Sequence, residues 1–288
     1  MTFETSQNLL TVDVEDWFHI LDSSAVPPLE RWEELESRVA ANVERILAML
    51  DHKGVKGTFF WLGWVAQRHK SLVRACHAAG HEIASHGHDH VLAYQVGERK
   101  FLDDIVRAKA MLEDILGQSV KGFRAPGFGI TEGAEWAFDV IKRAGYNYDS
   151  SVFPATRGHG GLADAQRGPH WIETQEGRLA EIPQSVVSLA NRRFSLFGGG
   201  YLRLAPLPLI RWGIRRLRRS GQPLVIYIHP REVDPAQPRL ALGYKRSFKC
   251  YVNLESTLPK LETLFNIGRF MRMDEYAKAF FGEDLQAA

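Results

Sequence analysis

The sequence has little cysteine, no long apolar run and almost no charge imbalance, and each lack removes a class of protein. Only two of its 288 residues are cysteine, Cys76 and Cys250. They stand far apart and without metal-ligand spacing. That argues against a disulfide framework or a thiolate zinc site, and for reduced thiols in a reducing compartment. No segment approaches the roughly 18 consecutive apolar residues of a membrane-spanning helix. The opening stretch, MTFETSQNLLTVDVEDWFH, has no basic leader followed by a long apolar core. It enters a strand-like pattern almost at once, so the expectation is a soluble, cytoplasmic chain without a signal peptide. Lys and Arg number 36 against 34 Asp and Glu, a net charge of +2. So balanced a chain is not built to coat nucleic acid, and no nucleic-acid partner is expected. Internal repeats and low-complexity linkers are also missing.

What is present is an ordinary globular composition, 45% hydrophobic and 24% charged, long enough for one large domain or two small ones. Short apolar runs alternate with helical patterns. Strands are expected at LLTVDV (9–14), GTFFWLG (57–63), HEIAS (81–85), VKGFR (120–124), LAEIPQS and PLVIYIH (223–229). Helices are expected over 37–54, ending at Gly54, and over 71–79, 96–117 and 133–144. The 96–117 helix places Phe101, Ile105, Ala108, Leu112 and Leu116 on one face. Residues 150–178 read as a long loop or an inserted hairpin. A loop, a helix near 255–266 and a final strand and helix complete the pattern. Strands alternating with helices indicate a parallel α/β sheet or barrel.

In such folds chemistry collects at the C-terminal ends of the strands. The first strand ends in Asp13, Glu15 and Asp16, the third in His86, His88 and His90, the fourth in Arg124, and a late one in His229. The run SHGHDH is the densest of these. His86 and His90 share a face on a helical turn, whereas His86 and His88 would share one on an extended strand. Gly87 and Asp89 favour a turn, and so the pair His86 and His90. Two imidazoles on a zinc-like ion need an oxygen ligand and an open position for water. A carboxylate beside that water could act as general base. An acidic run such as VED could equally be a surface turn.

In their order along the chain, TVDVED, SHGHDH, FRAPG and YIH resemble the motifs of the polysaccharide deacetylases with the NodB homology domain, carbohydrate esterase family four. VDVEDWFH, YDSSVFP, YIHPREVDPAQPR and YVNLESTLPKLE resemble the branch found in exopolysaccharide gene clusters of exosortase-containing bacteria. The resemblance implies a distorted (β/α)7-type barrel over residues 1–232. Residues 233–288 form a C-terminal extension expected to pack on that domain and complete it.

The resemblance also implies a reaction, the removal of N-acetyl groups from sugar units of an exopolysaccharide or its precursor. One divalent metal ion is implied, zinc first, with cobalt, nickel or iron as alternatives. Asp13 would be the base and Arg124 would orient it. His86 and His90 would hold the metal with a third ligand, Glu15 or Asp16. Glu15 is favoured because it shares a face with Asp13. His229 would be the general acid, with Asp149 as its partner. A backbone N–H after Pro126, at Gly127 followed by Phe128, would serve the oxyanion, and Trp17 could line a sugar subsite. His88 is expected to support the loop or face solvent. His52, His69, His77, His81, His159 and His170 are expected on surfaces, with His19 the one to watch. The basic pattern over 209–222 (Arg211, Arg215, Arg216, Arg218 and Arg219) is read either as a solvated face or as a contact for an anionic membrane. Two other readings stand beside the deacetylase: a hydrolase of another C–N bond, such as a cyclic amide or ureide, and a non-catalytic sugar-binding module.

Overall fold

The computed structural model describes residues 7–21, 23–156, 160–190 and 192–287. Its centre is β1 (Asn8–Val14), buried at every position. A strand covered on both faces needs a near-continuous apolar run rather than alternation. Leu9, Leu10, Val12 and Val14 supply it, each with no exposed surface. Four parallel strands follow: β2 (Thr58–Trp61), β3 (Glu82–Ser85), β4 (Gly122–Phe123) and β5 (Tyr148–Asp149). The later strands are β6 (His170–Thr174), β7 (Gly177–Glu181), β8 (Val187–Leu189), β9 (Arg192–Phe194), β10 (Leu224–Ile228) and β11 (Phe270–Met271).

The main sheet runs in the order β10-β1-β2-β3-β4-β5-β7-β6. From β10 to β7 every pairing is parallel, which gives the seven strands of the expected distorted (β/α)7-type barrel. β6 pairs antiparallel with β7, the hairpin expected within 150–178. Closure between the ends of the seven is irregular. The Ser185 hydroxyl, just after β7, donates to Pro223 O and accepts from Val225 N, at 2.9 and 2.8 Å. Gly198 makes a single parallel bridge to Tyr227. A side chain and one bridge thus stand where a ladder would, and this is the distortion of the barrel.

β1 carries β10 on one edge. On the other it pairs with β11 at Asn8 and Leu9, then with β2 from Thr11 onward. The chain's C-terminal part is therefore built into the base of the sheet. The helix Val39–Lys53 ends as the sequence predicts, on Gly54 in the left-handed region at φ 63°, where glycine carries no Cβ penalty. The helix Glu98–Leu116 buries Phe101, Ile105, Ala108, Leu112 and Ile115, and an acid, Asp104, on the same face. Among the described residues no helix is long and apolar enough to cross a membrane.

Candidate active site

The site forms where β1, β3, β4 and β10 end. At the end of β1 the Glu15 N–H donates to the Asp13 carbonyl across 2.9 Å. This three-residue turn stops the strand and leaves both carboxylates at its tip. Glu15 Oε1 lies 3.2 Å from His86 Nε2 and 2.9 Å from His90 Nε2. These three residues, all buried, form the one group among the described residues whose donor atoms could hold a metal ion, all within 4.8 Å of one another. Burial opposes ionisation of Glu15. His90 and His229 beside it, with hydrogen bonds from His86 and His90, nonetheless hold its carboxyl well below the usual carboxylate range.

The imidazoles are held from behind. His86 Nδ1 lies 2.7 Å from the Arg124 carbonyl. A carbonyl can only accept, so Nδ1 carries a proton, and Nε2 is the nitrogen turned toward Glu15. His90 sits in the left-handed region at φ 56°, a conformation a non-glycine residue holds only when its surroundings over-determine it. The determinant is Asp104, which the sequence reading overlooked. Its carboxylate accepts the backbone N–H groups of His88 and Asp89, each at 2.8 Å. A Cβ at Gly87 would come within 2.7 Å of that carboxylate, and Gly87 has φ 74°. Glycine is thus required there on two counts. A buried acid on the apolar face of the 98–116 helix was the available signal.

Asp13 is 2% exposed and receives Arg124 Nη1 at 2.6 Å. Arg124 is wholly buried. It also donates to Thr11 Oγ1 at 2.8 Å, Ser150 Oγ at 3.1 Å and Ser150 O at 3.2 Å, and lies over the Phe60 ring. So many fixed partners leave the guanidinium one position. Asp13 Oδ2 remains, 4.0 Å from His229 Nε2, which is also 3.8 Å from Glu15.

Several sequence expectations need correction. Asp149 does not partner His229. That partner is Glu232, whose Oε1 lies 2.5 Å from His229 Nδ1. Burial depresses the His229 imidazole, but Glu15 and Glu232 outweigh it and raise its pKa. Burial likewise opposes ionisation of Glu232, yet Arg203 and His229 bring its carboxyl down to about 2. The signal was the i, i+3 spacing in HPRE, a turn opened by proline. Asp149 is instead paired with Glu181 beneath Arg124. Burial pushes Asp149 up to about 6, and burial with the Asp149 charge pushes Glu181 well above its ordinary value.

Asp16 is no ligand. Its carboxylate accepts Ser37 Oγ at 2.6 Å, Trp17 N at 2.8 Å, and the N–H groups of Arg38 and Val39, capping the Val39–Lys53 helix. Trp17 is buried, donates its indole N–H to Glu36 O and packs edge-on against Phe18, so it lines no sugar subsite. His88 is buried rather than exposed, and bonds Asp89. His81 is buried too, and accepts Gly57 N. His159 lies outside the described residues. His19 is buried as well. Its Nδ1 accepts Asp16 N at 2.8 Å, which leaves the proton on Nε2.

A cavity of about 480 Å³ opens over these groups. Asp13, Glu15, His19, His90, Gly127, Phe128 and His229 line its floor. Tyr201, Arg231, Lys245, Arg246 and Lys249 come from the later part of the chain. Phe128 N–H is engaged by Ala125 O, so the oxyanion donor expected near Pro126 falls to Gly127.

Residues 34–148 match the model of the family described as polysaccharide deacetylase, and residues 150–278 match a domain of unknown function (DUF3473). A peptidoglycan-N-acetylglucosamine deacetylase of Bacillus cereus is 31% identical over 102 residues, 35% of this chain and 46% of that protein. The chain thus spans about half the length of the curated relatives it matches. The structure of a probable polysaccharide deacetylase from Pseudomonas aeruginosa has a TM-score of 0.62 at 16% identity, covering 97% of this chain and 92% of that one. PuuE allantoinase has a TM-score of 0.63 at 15% identity, covering 97% and 91%. At such identities the likeness to both structures is one of fold. The family match over residues 34–148, the order of the motifs and the seven-stranded distorted barrel agree: the chain carries a polysaccharide deacetylase domain.

Proposed function

We propose that the protein is a metal-dependent N-deacetylase acting on N-acetylated sugar units of a bacterial exopolysaccharide or its precursor. One observation carries this reading: Glu15, His86 and His90 converge within 4.8 Å, beside the Asp13–Arg124 and His229–Glu232 pairs, in a single cavity. A carboxylate oxygen with two Nε2 lone pairs suits zinc, and cobalt, nickel or iron nearly as well. The hydrogen bond from His86 Nδ1 to a carbonyl is the outer-shell support such a ligand needs. When bound, the ion would polarise the acetyl carbonyl and lower the pKa of a water molecule.

The chain's own residues do the rest. Asp13, with one oxygen fixed by Arg124, accepts a proton from water at Oδ2 as the water oxygen attacks the acetyl carbon. Gly127 N–H faces the developing oxyanion. His229 gives its Nε2 proton to the sugar nitrogen as the C–N bond breaks, and acetate and a free amine result. Glu232 holds that imidazole in the tautomer and orientation the transfer needs. His19 Nε2–H offers a fixed donor to the sugar.

A cytoplasmic setting, before export, is supported by two free cysteines and by the helix Leu207–Arg219. That helix buries Ile210, Ile214 and Leu217 and exposes Arg211, Arg215, Arg216, Arg218 and Arg219, a face suited to anionic lipid headgroups. Equal co-sedimentation with anionic liposomes before and after changing these arginines to Gln would remove the lipid contact. The activity is tested by acetate release from N-acetylglucosamine oligomers, with and without added divalent metal. Release of ammonia or urea from cyclic amides or ureides, with no acetate, would replace the reading, and sugar binding without turnover would reduce the protein to a binding module.

A further inference from the structure

The wall of the cavity opposite the catalytic groups is cationic, and none of those cations has a role in amide hydrolysis. Arg231 lines it from the turn after β10, and Lys245, Arg246 and Lys249 line it from the helix Tyr244–Tyr251. The helix reads YKRSFKCY, with no acidic residue. Among the described residues the acids lining the cavity are Asp13 and Glu15. Both are engaged, Asp13 by Arg124 and Glu15 by the imidazoles. Among the described residues no acid that lines the cavity forms an ion pair with Arg231, Lys245 or Lys249.

Arg231 sharpens the point. Its Nε and Nη1 atoms are buried and have no hydrogen-bond partner among the described residues. Burying guanidinium N–H groups unpaired costs stability unless something completes them. Nε and Nη1 lie on different edges of the guanidinium, so each offers a separate N–H to an anionic oxygen of a carboxylate or phosphate. Lys245 and Lys249, four apart, lie on one helical face at the same opening. Surface lysines alone would be a solvated rim. An arginine with two buried N–H-bearing atoms left without a hydrogen bond on the same wall gives the cluster a floor.

We infer that the cavity is built for an anionic N-acetylated sugar: one whose chain carries a carboxylate or phosphate group close to the acetamido unit, gripped by Arg231 and steered by Lys245 and Lys249. This rests on the deacetylase reading for the reaction but not for the binding. It assigns to the part of the chain after residue 230, which holds none of the metal ligands, the choice of substrate.

The test measures binding and turnover separately on the full-length, metal-loaded chain. Three probes that all carry the acetamido unit differ in charge: neutral N-acetylglucosamine and its oligomers, N-acetylglucosamine 1-phosphate compared with the neutral monosaccharide, and oligosaccharides alternating N-acetylglucosamine with a uronic acid compared with neutral oligomers of equal length. Calorimetry should show at least one anionic probe binding about tenfold or more tightly than the neutral one, with the advantage shrinking as salt rises. The phosphate and uronate arms tell which anion is meant. Arg231→Gln, and separately the exposed pair Lys245→Gln/Lys249→Gln, should erase that advantage, and phosphate held by the metal alone would survive both changes. Equal binding of all three probes, or an advantage that survives the variants, overturns the inference even where acetate is released. Charge-selective binding without acetate release from any probe would uphold the inference and sink the deacetylase.

Discussion

Replacing Glu232 by Gln should cost most of the turnover while leaving metal binding in place. Glu232 Oε1 sits 2.5 Å from His229 Nδ1, so the proton is held on that nitrogen and Nε2 faces Asp13 and Glu15 at 4.0 and 3.8 Å. Hydrogen bonds to charged groups contribute about 1.5–3 kcal/mol. Losing about 2.7 kcal/mol of transition-state orientation corresponds to about 100-fold in kcat. A glutamine can also turn its amide N–H toward Nδ1 and invert the tautomer, and in a comparable imidazole–carboxylate pair that inversion costs about 10⁴. The expected loss is therefore about 10²–10⁴ in kcat. Stability should fall as well, because Glu232 is the ion partner of the buried Arg203. Breaking a buried pair from one side costs about 3–5 kcal/mol. Arg203 keeps its bonds to the carbonyls of Lys249, Cys250 and Val252, which points to the lower end. The assay is acetate release from N-acetylglucosamine oligomers, with near-UV circular dichroism to certify the fold and a metal titration alongside. A folded variant whose kcat stays within about threefold of the unaltered enzyme would refute the role given to Glu232.

Asp13→Asn should abolish acetate release with divalent affinity intact, whereas Glu15→Gln should lose the affinity itself. Calorimetric titration of both variants decides whether base and ligand have been exchanged. Asp16→Ala should keep the metal stoichiometry of the native chain and lose about 1–2 kcal/mol of stability with the helix cap, as read from urea unfolding. If the metal departs with it, Glu15 is not the sole carboxylate ligand. The buried Asp149 carboxyl, raised to about 6 from 3.8, stays protonated in the folded chain where the unfolded chain has ionised. The folded state then binds more protons, so the contribution of Asp149 to stability falls as pH rises from about 4 to about 6. Asp149→Asn should flatten that slope in denaturation curves, and an unchanged slope would show that Asp149 takes up no proton on folding.

Much of the barrel could be read from periodicity because its strands are buried on both faces. LLTVDV and PLVIYIH announce themselves as short apolar runs bounded by polar strand ends, and the structure has β1 and β10 there. The metal-ligand candidates were legible for the same reason, since polar residues at the tips of buried strands stand out. What failed was any inference that needed the turn beyond the strand. Asp16 and Glu15 are neighbours, yet one caps a helix and the other meets two imidazoles. The choice is made by the turn at Val14–Glu15 and by where the Val39–Lys53 helix begins. Trp17 had the composition of a sugar platform but follows Asp16 into the core. Asp149 and Glu232 show the same limit. Both are acids near a functional strand end, and only the folded register tells that the first lies under Arg124 and the second beside His229.

The division of the chain into two matched segments cuts through the site. Asp13 and Glu15 precede the segment matched to the polysaccharide deacetylases, while His86, His90 and Arg124 fall inside it. His229, Glu232 and the cationic wall lie in the segment of unknown function. The proposed general acid, its orienting carboxylate and the arginine that braces that carboxylate thus belong to the second segment, and the proposed base and metal ligands to the rest. Physically the second segment is no appendage. β10 and β11 flank β1, the strand that carries Asp13, and the helix Tyr244–Tyr251, through Lys249 O and Cys250 O, accepts two further hydrogen bonds of Arg203. A change that loosens the Tyr244–Tyr251 helix would therefore reach the proton on His229 through Arg203 and Glu232. In this chain the helix that lines the cavity and the turn that holds the proposed general acid are mechanically one.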